Sequence, residues 1–112
     1  MNTMKLDSYK AKIEYDSDLD MFRGEVLGIN GGADFYGQNP SELRKGFRNS
    51  LNIFLEVCAE KGISPTKEYP GKLNLRIDPK LHSNISIQAL AEEKSLNQWI
   101  IDTLENSLHN PA

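Results

Sequence analysis

The sequence contains little that would suit an extracellular or membrane protein. Its 112 residues include a single cysteine, Cys58, so no internal disulfide can form. Residues 1–10 are polar and have no apolar signal core, and no apolar run approaches the ~20 residues that span a bilayer. We therefore expect a cytoplasmic protein.

The chain also has few apolar residues and no excess of basic ones. Apolar residues make up 38% of the sequence, below the ~45–50% that is usual for globular chains. With 13 basic and 16 acidic residues the net charge is −3. This excludes a uniformly basic nucleic-acid binder and leaves only a local basic patch. A chain this short and polar cannot enclose a large core alone, so we expect it to form oligomers.

Residues for metal or catalytic chemistry are scarce. The two histidines, His82 and His109, are isolated and too few for a metal site. Three aspartates at alternate positions resemble the start of a calcium loop: Asp16, Asp18 and Asp20. However, Met21 occupies the position of the required glycine, and Leu27 that of the bidentate glutamate. We expect no cofactor, no metal and no enzymatic activity, and keep a metal-dependent nuclease only as a remote alternative.

Alternating apolar and polar residues in the first half predict an antiparallel sheet. The apolar members of the first alternation are Tyr9, Ala11, Ile13 and Tyr15. A second strand is expected over Met21–Leu27, and a short third one over Ala33–Tyr36 after a glycine-rich break. Short turns between adjacent strands favour a meander. We predict an α+β unit with three or four antiparallel strands and one helix.

The strongest local signal is the helix that follows these strands. Asn39 is a suitable N-cap, Pro40 suits the first helical position, and Glu42 stands three residues after the cap. Gly62 is the expected C-terminal stop. One apolar stripe should pack this helix on the sheet. Its members are Leu43, Phe47, Leu51, Phe54, Leu55 and Cys58.

A segment without periodicity divides the chain. Residues 63–71 contain two prolines and end in a glycine, a composition that is typical of linkers. We therefore predict a first domain over residues 1–62 and a second over residues 72–112.

The second domain is predicted to contain a strand and two helices. Lys72–Ile77 alternates as a short strand, Pro79 opens one helix, and Ser95 with Gln98 predicts the capping box of another. The strand has no partner within its own domain, and the apolar residues are too few to enclose a core. We therefore predict a dimer in which two copies of the strand pair as a ribbon. The predicted dimer core comprises Leu73, Leu75, Ile77, Leu81, Ile85, Leu96, Trp99, Ile100 and Leu104, and the stripe of the last helix also includes Thr103 and Leu108.

The outward face of such a ribbon suits the major groove of DNA. Arginine and lysine match guanine and asparagine matches adenine, so we predict that bases are contacted by Lys72, Asn74 and Arg76. The start of the last helix offers free backbone N–H groups for a DNA phosphate, and its residues are Ser95, Leu96 and Asn97. Three of the four basic residues of this domain lie within residues 72–80. The same alternation is also typical of a strand face that only contacts solvent.

Two sets of residues carry a resemblance to a known family. Those in the second domain are Gly71–Ile77, Pro79, Leu81, His82, Ala89 and Ser95–Ile100. Those in the first domain are Tyr9–Asp16, Phe22–Val26, Gly37, Ser41–Gly62 and Pro65. The second domain resembles the ribbon-helix-helix tail of HicB-family antitoxins, and the first is similar to the partial ribonuclease-H-like domain of the same family. The order of the two halves is more specific than either motif alone, since ribbon-helix-helix tails occur in many repressors.

This resemblance implies a function in two parts. The first domain would bind and block a HicA-type toxin, a small ribonuclease that cleaves mRNA. The tail would dimerise, bind the operator DNA of its own operon and repress it. The resemblance places the base-reading positions of the family at Lys72, Asn74 and Arg76. It places the phosphate-contacting positions at Ser95, Leu96 and Asn97. Glu93 stands where the family often has a glycine, and this departure concerns the turn after the first tail helix.

Several alternatives stay open from the sequence. One is a stand-alone ribbon-helix-helix repressor whose first domain senses a ligand or another protein. The toxin could contact the polar strand face, the second strand or the exposed side of the first helix. The strand candidates are Lys10, Lys12, Glu14, Arg23 and Glu25. A tetramer, formed by additional pairing of the first domains, also stays open beside the dimer.

Overall fold

The chain is a four-stranded antiparallel sheet followed by three helices, in a computed structural model that describes residues 2–110. The elements are β1 (Asn2–Leu6), β2 (Tyr9–Asp16), β3 (Met21–Leu27), β4 (Asp34–Gly37), α1 (Pro40–Lys61), α2 (Pro79–Ala91) and α3 (Leu96–His109). The strands lie in the order β1-β2-β3-β4, which confirms the predicted α+β class and the meander. No helix within residues 2–110 combines the length and apolarity needed to cross a membrane. The chain divides into two units between Pro70 and Gly71.

Three or four strands were expected, and β1 is the one for which the sequence pattern gave no position. Within β1 only Met4 and Leu6 are partly buried against the core, too few to give a clear alternation. The turn into β2 contains Asp7 at a φ of 54°, the left-handed conformation that aspartate tolerates in tight hairpins. β1 then pairs antiparallel with β2, with Met4 opposite Ala11.

The core of the first unit lies between one face of the sheet and α1. Ala11, Val26 and Phe35 supply its strand side. Phe47 and Leu51, at most 1% exposed, supply its helix side. The rings of Phe35 and Phe47 stack with centroids 4.9 Å apart, so an aromatic pair joins α1 to β4 within this core.

Two glycines allow the helix and the Phe35 ring to approach the sheet. A Cβ atom at Gly24 would overlap the Phe35 ring, and one at Gly37 would lie 2.7 Å from the Leu43 backbone nitrogen. Neither neighbour is the free end of a flexible side chain. Gly24 therefore excludes a side chain because the Phe35 ring of β4 lies over it, and Gly37 because the first turn of α1 approaches it closely. Sequence periodicity reveals neither contact.

Helix α1 begins and ends where the sequence predicts. The Asn39 Oδ1 accepts the Glu42 N–H at 2.9 Å, and Gly62 ends the helix at a φ of 66°. The Glu42 carboxylate accepts the N–H of Gln38 at 2.7 Å, so the reciprocal bond of the capping box reaches the residue before the cap. Leu43, Phe47, Leu51 and Cys58 of the predicted stripe are buried, and Phe54 and Leu55 are partly buried.

Helix α1 also lies against β4, the last strand of the sheet. The Ser50 Oγ donates to the Asp34 carbonyl at 3.0 Å. A Cβ atom at Gly46 would lie 3.3 Å from the Tyr36 carbonyl oxygen. The helix therefore covers carbonyl groups of the last strand.

The chain after α1 returns to the loop that follows β3. The Pro65 carbonyl accepts the N–H of Asn30 at 2.9 Å, and Lys67 donates its N–H to the Gly28 carbonyl at 3.0 Å. Ile29 and Thr66 form an isolated antiparallel bridge. The first part of the segment expected to act as a linker is thus hydrogen-bonded to the first unit.

The second unit contains two helices with polar caps. The Asp78 carboxylate accepts the N–H groups of Lys80 and Leu81 at the start of α2. The Ser95 Oγ accepts the Gln98 N–H at 3.0 Å at the start of α3. The predicted capping box is only half correct, because the Gln98 side chain donates to Asp102 at 2.7 Å and so turns along the helix.

The turn between α2 and α3 is closed by a residue in the left-handed conformation. Glu93 has a φ of 58°, its N–H donates to the Leu90 carbonyl, and the next N–H, from Lys94, donates to the Ala89 carbonyl at 2.9 Å. These bonds satisfy the last carbonyls of α2 in the manner of a Schellman ending. A glutamate therefore adopts the backbone that usually favours glycine.

Candidate functional site

The predicted ribbon strand is not a strand within the single chain. Residues 72–77 form no regular structure, and all six side chains are exposed. The three apolar members range from 37% exposure at Ile77 to 74% at Leu73. A strand needs a hydrogen-bonded neighbour, and none of the described residues of this unit supplies one. The pairing expected for this segment involves a second copy, so the ribbon stays a prediction.

The polar members of this segment are available for an external contact. Lys72, Asn74 and Arg76 are exposed, and within residues 2–110 none of them makes a side-chain hydrogen bond or an ion pair. In an extended chain, side chains two residues apart lie on one face. The three predicted base-contacting residues would then share a face.

The apolar members of the segment line a groove with α3. This groove has a volume of about 310 Å³, and its lining includes Leu73, Leu75, Ile100, Ile101 and Leu104. Leu73 and Leu75 therefore face the helix, as the predicted alternation requires. Asn97, one of the predicted phosphate-contacting residues, lies at the same groove.

The predicted apolar stripe of α3 is not buried within the single chain, so its burial in a dimer core stays a prediction. Among the described residues of α3 none is buried, and in α2 only Ala89 is. Leu81 and Leu104 are about half exposed, whereas Ile85, Leu96, Trp99 and Ile100 have intermediate exposure. Two short helices share a single line of contact, so they leave much of their apolar surface to water.

The start of α3 presents a partly used set of hydrogen-bonding groups. The Ser95 hydroxyl oxygen already accepts the Gln98 N–H. The N–H groups of Leu96 and Asn97 belong to the first helical turn, where no intrahelical acceptor exists. The geometry is compatible with an anion at these two N–H groups, while the Ser95 side chain acts first as the cap.

A polar network that the sequence did not suggest fixes the turn between α2 and α3. The Trp99 indole Nε1 donates to the Glu92 carboxylate at 2.8 Å, and the Gln88 Nε2 donates to the same oxygen at 2.9 Å. The Lys94 ammonium lies 2.8 Å from an Asp102 carboxylate oxygen. Trp99 had been assigned only a core position, and nothing in its helical spacing points to an acceptor seven residues earlier.

This network lowers the pKa values of two carboxyl groups. Hydrogen bonds from Gln88 and then Trp99 hold the pKa of Glu92 below its ordinary value of 4.5. A hydrogen bond from Lys94, followed by one from Gln98, holds the pKa of Asp102 below its ordinary value of 3.8. In both cases the donors stabilise the charged carboxylate.

Two of the three aspartates in the β2–β3 turn accept hydrogen bonds from nearby groups. The Asp16 Oδ1 accepts the N–H groups of Asp18 and Leu19. The Asp20 Oδ1 accepts the Tyr15 hydroxyl at 2.6 Å, and this bond raises the pKa of Tyr15. Across residues 2–110, no three His, Cys, Asp or Glu side chains are close enough together to hold a metal ion. The carboxylates of Asp16 and Asp20 thus stabilise the turn itself.

On the outer face of the sheet, the charges are largely paired with one another. Lys12 lies 3.3 Å from Glu14 and 3.7 Å from Glu25, and Arg23 lies 2.6 Å from Asp34. The polar strand face that stayed open as a toxin contact therefore carries internal ion pairs. Its net field on a partner is correspondingly small.

Comparison with known proteins identifies one family. Residues 54–104 match the sequence model of the HicB family. The matched stretch begins in the C-terminal half of α1, contains all of α2 and ends within α3. Over this stretch, just under half of the chain, the sequence is similar to the HicB family. Comparisons with curated proteins and with solved structures gave no significant match.

Proposed function

We propose that this chain is the antitoxin of a HicA/HicB-like toxin–antitoxin system. Its first unit binds and blocks a small mRNA-cleaving toxin, and its tail dimerises and represses the operon that encodes both proteins. The observation that carries this proposal is the HicB match over residues 54–104. The match covers most of the tail and reaches into the helix of the first unit.

The exposed apolar surface of the tail supports dimerisation. Eight large apolar side chains between Leu73 and Leu104 are at least about one-third exposed. They are Leu73, Leu75, Ile77, Leu81, Ile87, Leu90, Ile101 and Leu104. A large amount of exposed apolar surface usually marks an interface. Pairing two copies of residues 72–77 would give each strand a neighbour and cover the apolar face of α3.

The charge distribution supports DNA binding by that dimer. Lys72, Arg76 and Lys80 lie within nine residues, and no acidic residue other than Asp78 falls among them. Asp78 caps α2, so its charge is turned to the helix start. A two-fold dimer doubles this basic segment on one ribbon, which suits the width of the major groove.

The first unit is proposed to act by binding and not by catalysis. A ribonuclease H uses several carboxylates that converge on divalent metal ions. In the part of the chain that the structure describes, the buried stripe of α1 contains no carboxylate, and two of the three turn aspartates, Asp16 and Asp20, accept hydrogen bonds from backbone N–H groups and from Tyr15. A fold of this kind offers a sheet and a helix as a rigid binding surface.

Co-expression with the neighbouring reading frame tests the proposal directly. We expect a stable complex with a small basic protein. The mass of this complex should correspond to an even number of antitoxin chains together with the bound partner. Adding operator DNA should give a single larger species. Recovery of the chain alone, with operator binding intact, would instead favour a stand-alone repressor. RNA cleavage by the isolated chain with magnesium or manganese would contradict the assignment.

A further inference from the structure

The first unit has an apolar groove between α1 and the loop that precedes β4. Its volume is about 350 Å³. The lining includes Gly32, Ala33, Ser50, Ile53, Phe54 and Val57. Ile53 is 63% exposed and Val57 40% exposed, although both are aliphatic residues in the middle of a helix. All of these lining residues belong to the first unit.

The polar atoms in the walls of this groove are already satisfied within the chain. The Ser50 hydroxyl donates to the Asp34 carbonyl at 3.0 Å, and the Asp34 carboxylate pairs with Arg23 at 2.6 Å. What the groove offers a partner is therefore apolar contact. Burial of Ile53 and Val57 by an apolar side chain would remove that surface from water.

The charges on the groove side of α1 are mainly acidic. After Arg48 the helix carries Glu56 and Glu60, and its one further charged residue is the basic Lys61 at its end. These two glutamates are four residues apart and so lie next to each other on one helix face, where like charges destabilise the helix slightly. In the described part of the chain neither is in an ion pair. Helical geometry places them on the same side of α1 as Ile53 and Val57.

This charge pattern decides between two occupants of the groove. A second copy of the first unit, related by a two-fold axis, would bring the same acidic residues together. A protein that cleaves RNA must contact phosphates and therefore presents basic residues. A basic partner would neutralise Glu56 and Glu60, whereas the ion pairs on the outer face of the sheet leave less free charge there.

We propose that this groove is the docking site for the basic toxin, with an apolar toxin side chain against Ile53 and Val57 and toxin lysines or arginines against Glu56 and Glu60. The inference rests on the proposed function and adds the surface through which it acts. The exposed side of α1 thereby becomes the binding face among the three that the sequence left open.

The test compares two lysine substitutions at similarly exposed apolar residues of the first unit. Ile53→Lys places a charge in the groove, and Leu19→Lys places one in the β2–β3 turn, where Leu19 is 56% exposed. The affinity of each full-length variant is measured for the purified protein of the neighbouring reading frame. We expect Ile53→Lys to weaken binding by about ten- to a hundredfold and Leu19→Lys to leave it unchanged. A Glu56→Gln/Glu60→Gln double variant should slow association and reduce its dependence on salt.

Three outcomes would overturn the inference, and they differ in what they imply. If Ile53→Lys binds as tightly as the unsubstituted chain, the groove is not the docking site, although the proposed function stands. If Ile53→Lys changes only the oligomeric mass of the protein measured without its partner, the groove is a contact between copies of this chain. If the unsubstituted chain forms no complex, the proposed function fails as well. Unchanged melting temperatures of both variants would show that lost binding is not lost folding.

Discussion

Arg76→Ala is expected to abolish specific operator binding while leaving the chain folded and dimeric. Arg76 is exposed, and within residues 2–110 its side chain takes part in no hydrogen bond or ion pair. Its removal therefore breaks no contact in the described chain. Any loss of function should come from the missing contact with DNA.

The size of the effect follows from the symmetry of the proposed dimer. One bidentate arginine–guanine contact contributes about 1–3 kcal/mol of discrimination. A two-fold ribbon presents Arg76 twice, so the loss should be about 2–6 kcal/mol, or roughly thirtyfold to twenty-thousandfold in affinity. Arg76→Lys keeps the charge but not the planar pair of donors, so it should lose most of the specificity and little of the non-specific binding.

The assay is a titration of labelled operator DNA and of scrambled DNA of equal length at one fixed salt concentration. Arg44→Ala is the matched control, because Arg44 is an exposed arginine on α1 of the first unit. Operator affinity of Arg76→Ala equal to that of the control would refute the ribbon assignment. Equal weakening on both DNAs would show that Arg76 contacts phosphate and not bases.

Three further predictions concern the stability of the two units. Glu93→Gly should raise the free energy of unfolding by roughly 0.5–1 kcal/mol, since Glu93 has a φ of 58° and glycine adopts this backbone without strain. The control Ala91→Gly lies within the helix and should instead lower the free energy of unfolding. A destabilised Glu93→Gly chain would contradict the described turn. Phe47→Ala should cost about 3–5 kcal/mol in urea unfolding, because Phe47 is fully buried, and a loss below about 1 kcal/mol would mean that the ring is not central to the core. The pKa values of Glu92 and Asp102 are lowered in the folded tail, so their charged carboxylates stabilise the tail at pH values above their ordinary pKa values. This contribution is lost as the pH falls through the lower pKa values of the folded state. In Glu92→Gln, the melting temperature of the tail should therefore fall less steeply as the pH is lowered. An unchanged dependence on pH would count against the Trp99 hydrogen bond.

The parts of the fold that the sequence predicted well are specified by neighbouring residues. Asn39, Pro40 and Gly62 define the ends of α1 within a few positions of the chain, and the structure places both ends there. The alternation in β2 likewise gave its buried side correctly at Ala11. Such signals are local, so a single sequence is enough to read them.

The features that the sequence did not reveal depend on residues far apart in the chain. β1 was not located because two half-buried residues, Met4 and Leu6, do not make a pattern on their own. The groove is formed by residues 32–34 and by residues 50–57 of α1, and only the packing of α1 beside β4 brings them together. In the tail, the Trp99–Glu92 hydrogen bond depends on how the turn at Glu93 directs α3. The predicted base contacts, phosphate contacts and dimer core stay predictions, because they involve a second chain and DNA.

The contact of Ser50 with the Asp34 carbonyl also affects whether sheets of different copies can pair with one another. A sheet that ends in uncovered backbone groups is a template for further strands, and uncontrolled growth at such a strand leads to fibres. Here α1 lies against β4, while at the opposite end Lys5 of β1 stands directly beside Lys10, so that added strands would meet positive charge. If the tails pair on DNA as proposed, first units that are held close together would therefore not join into a continuous sheet.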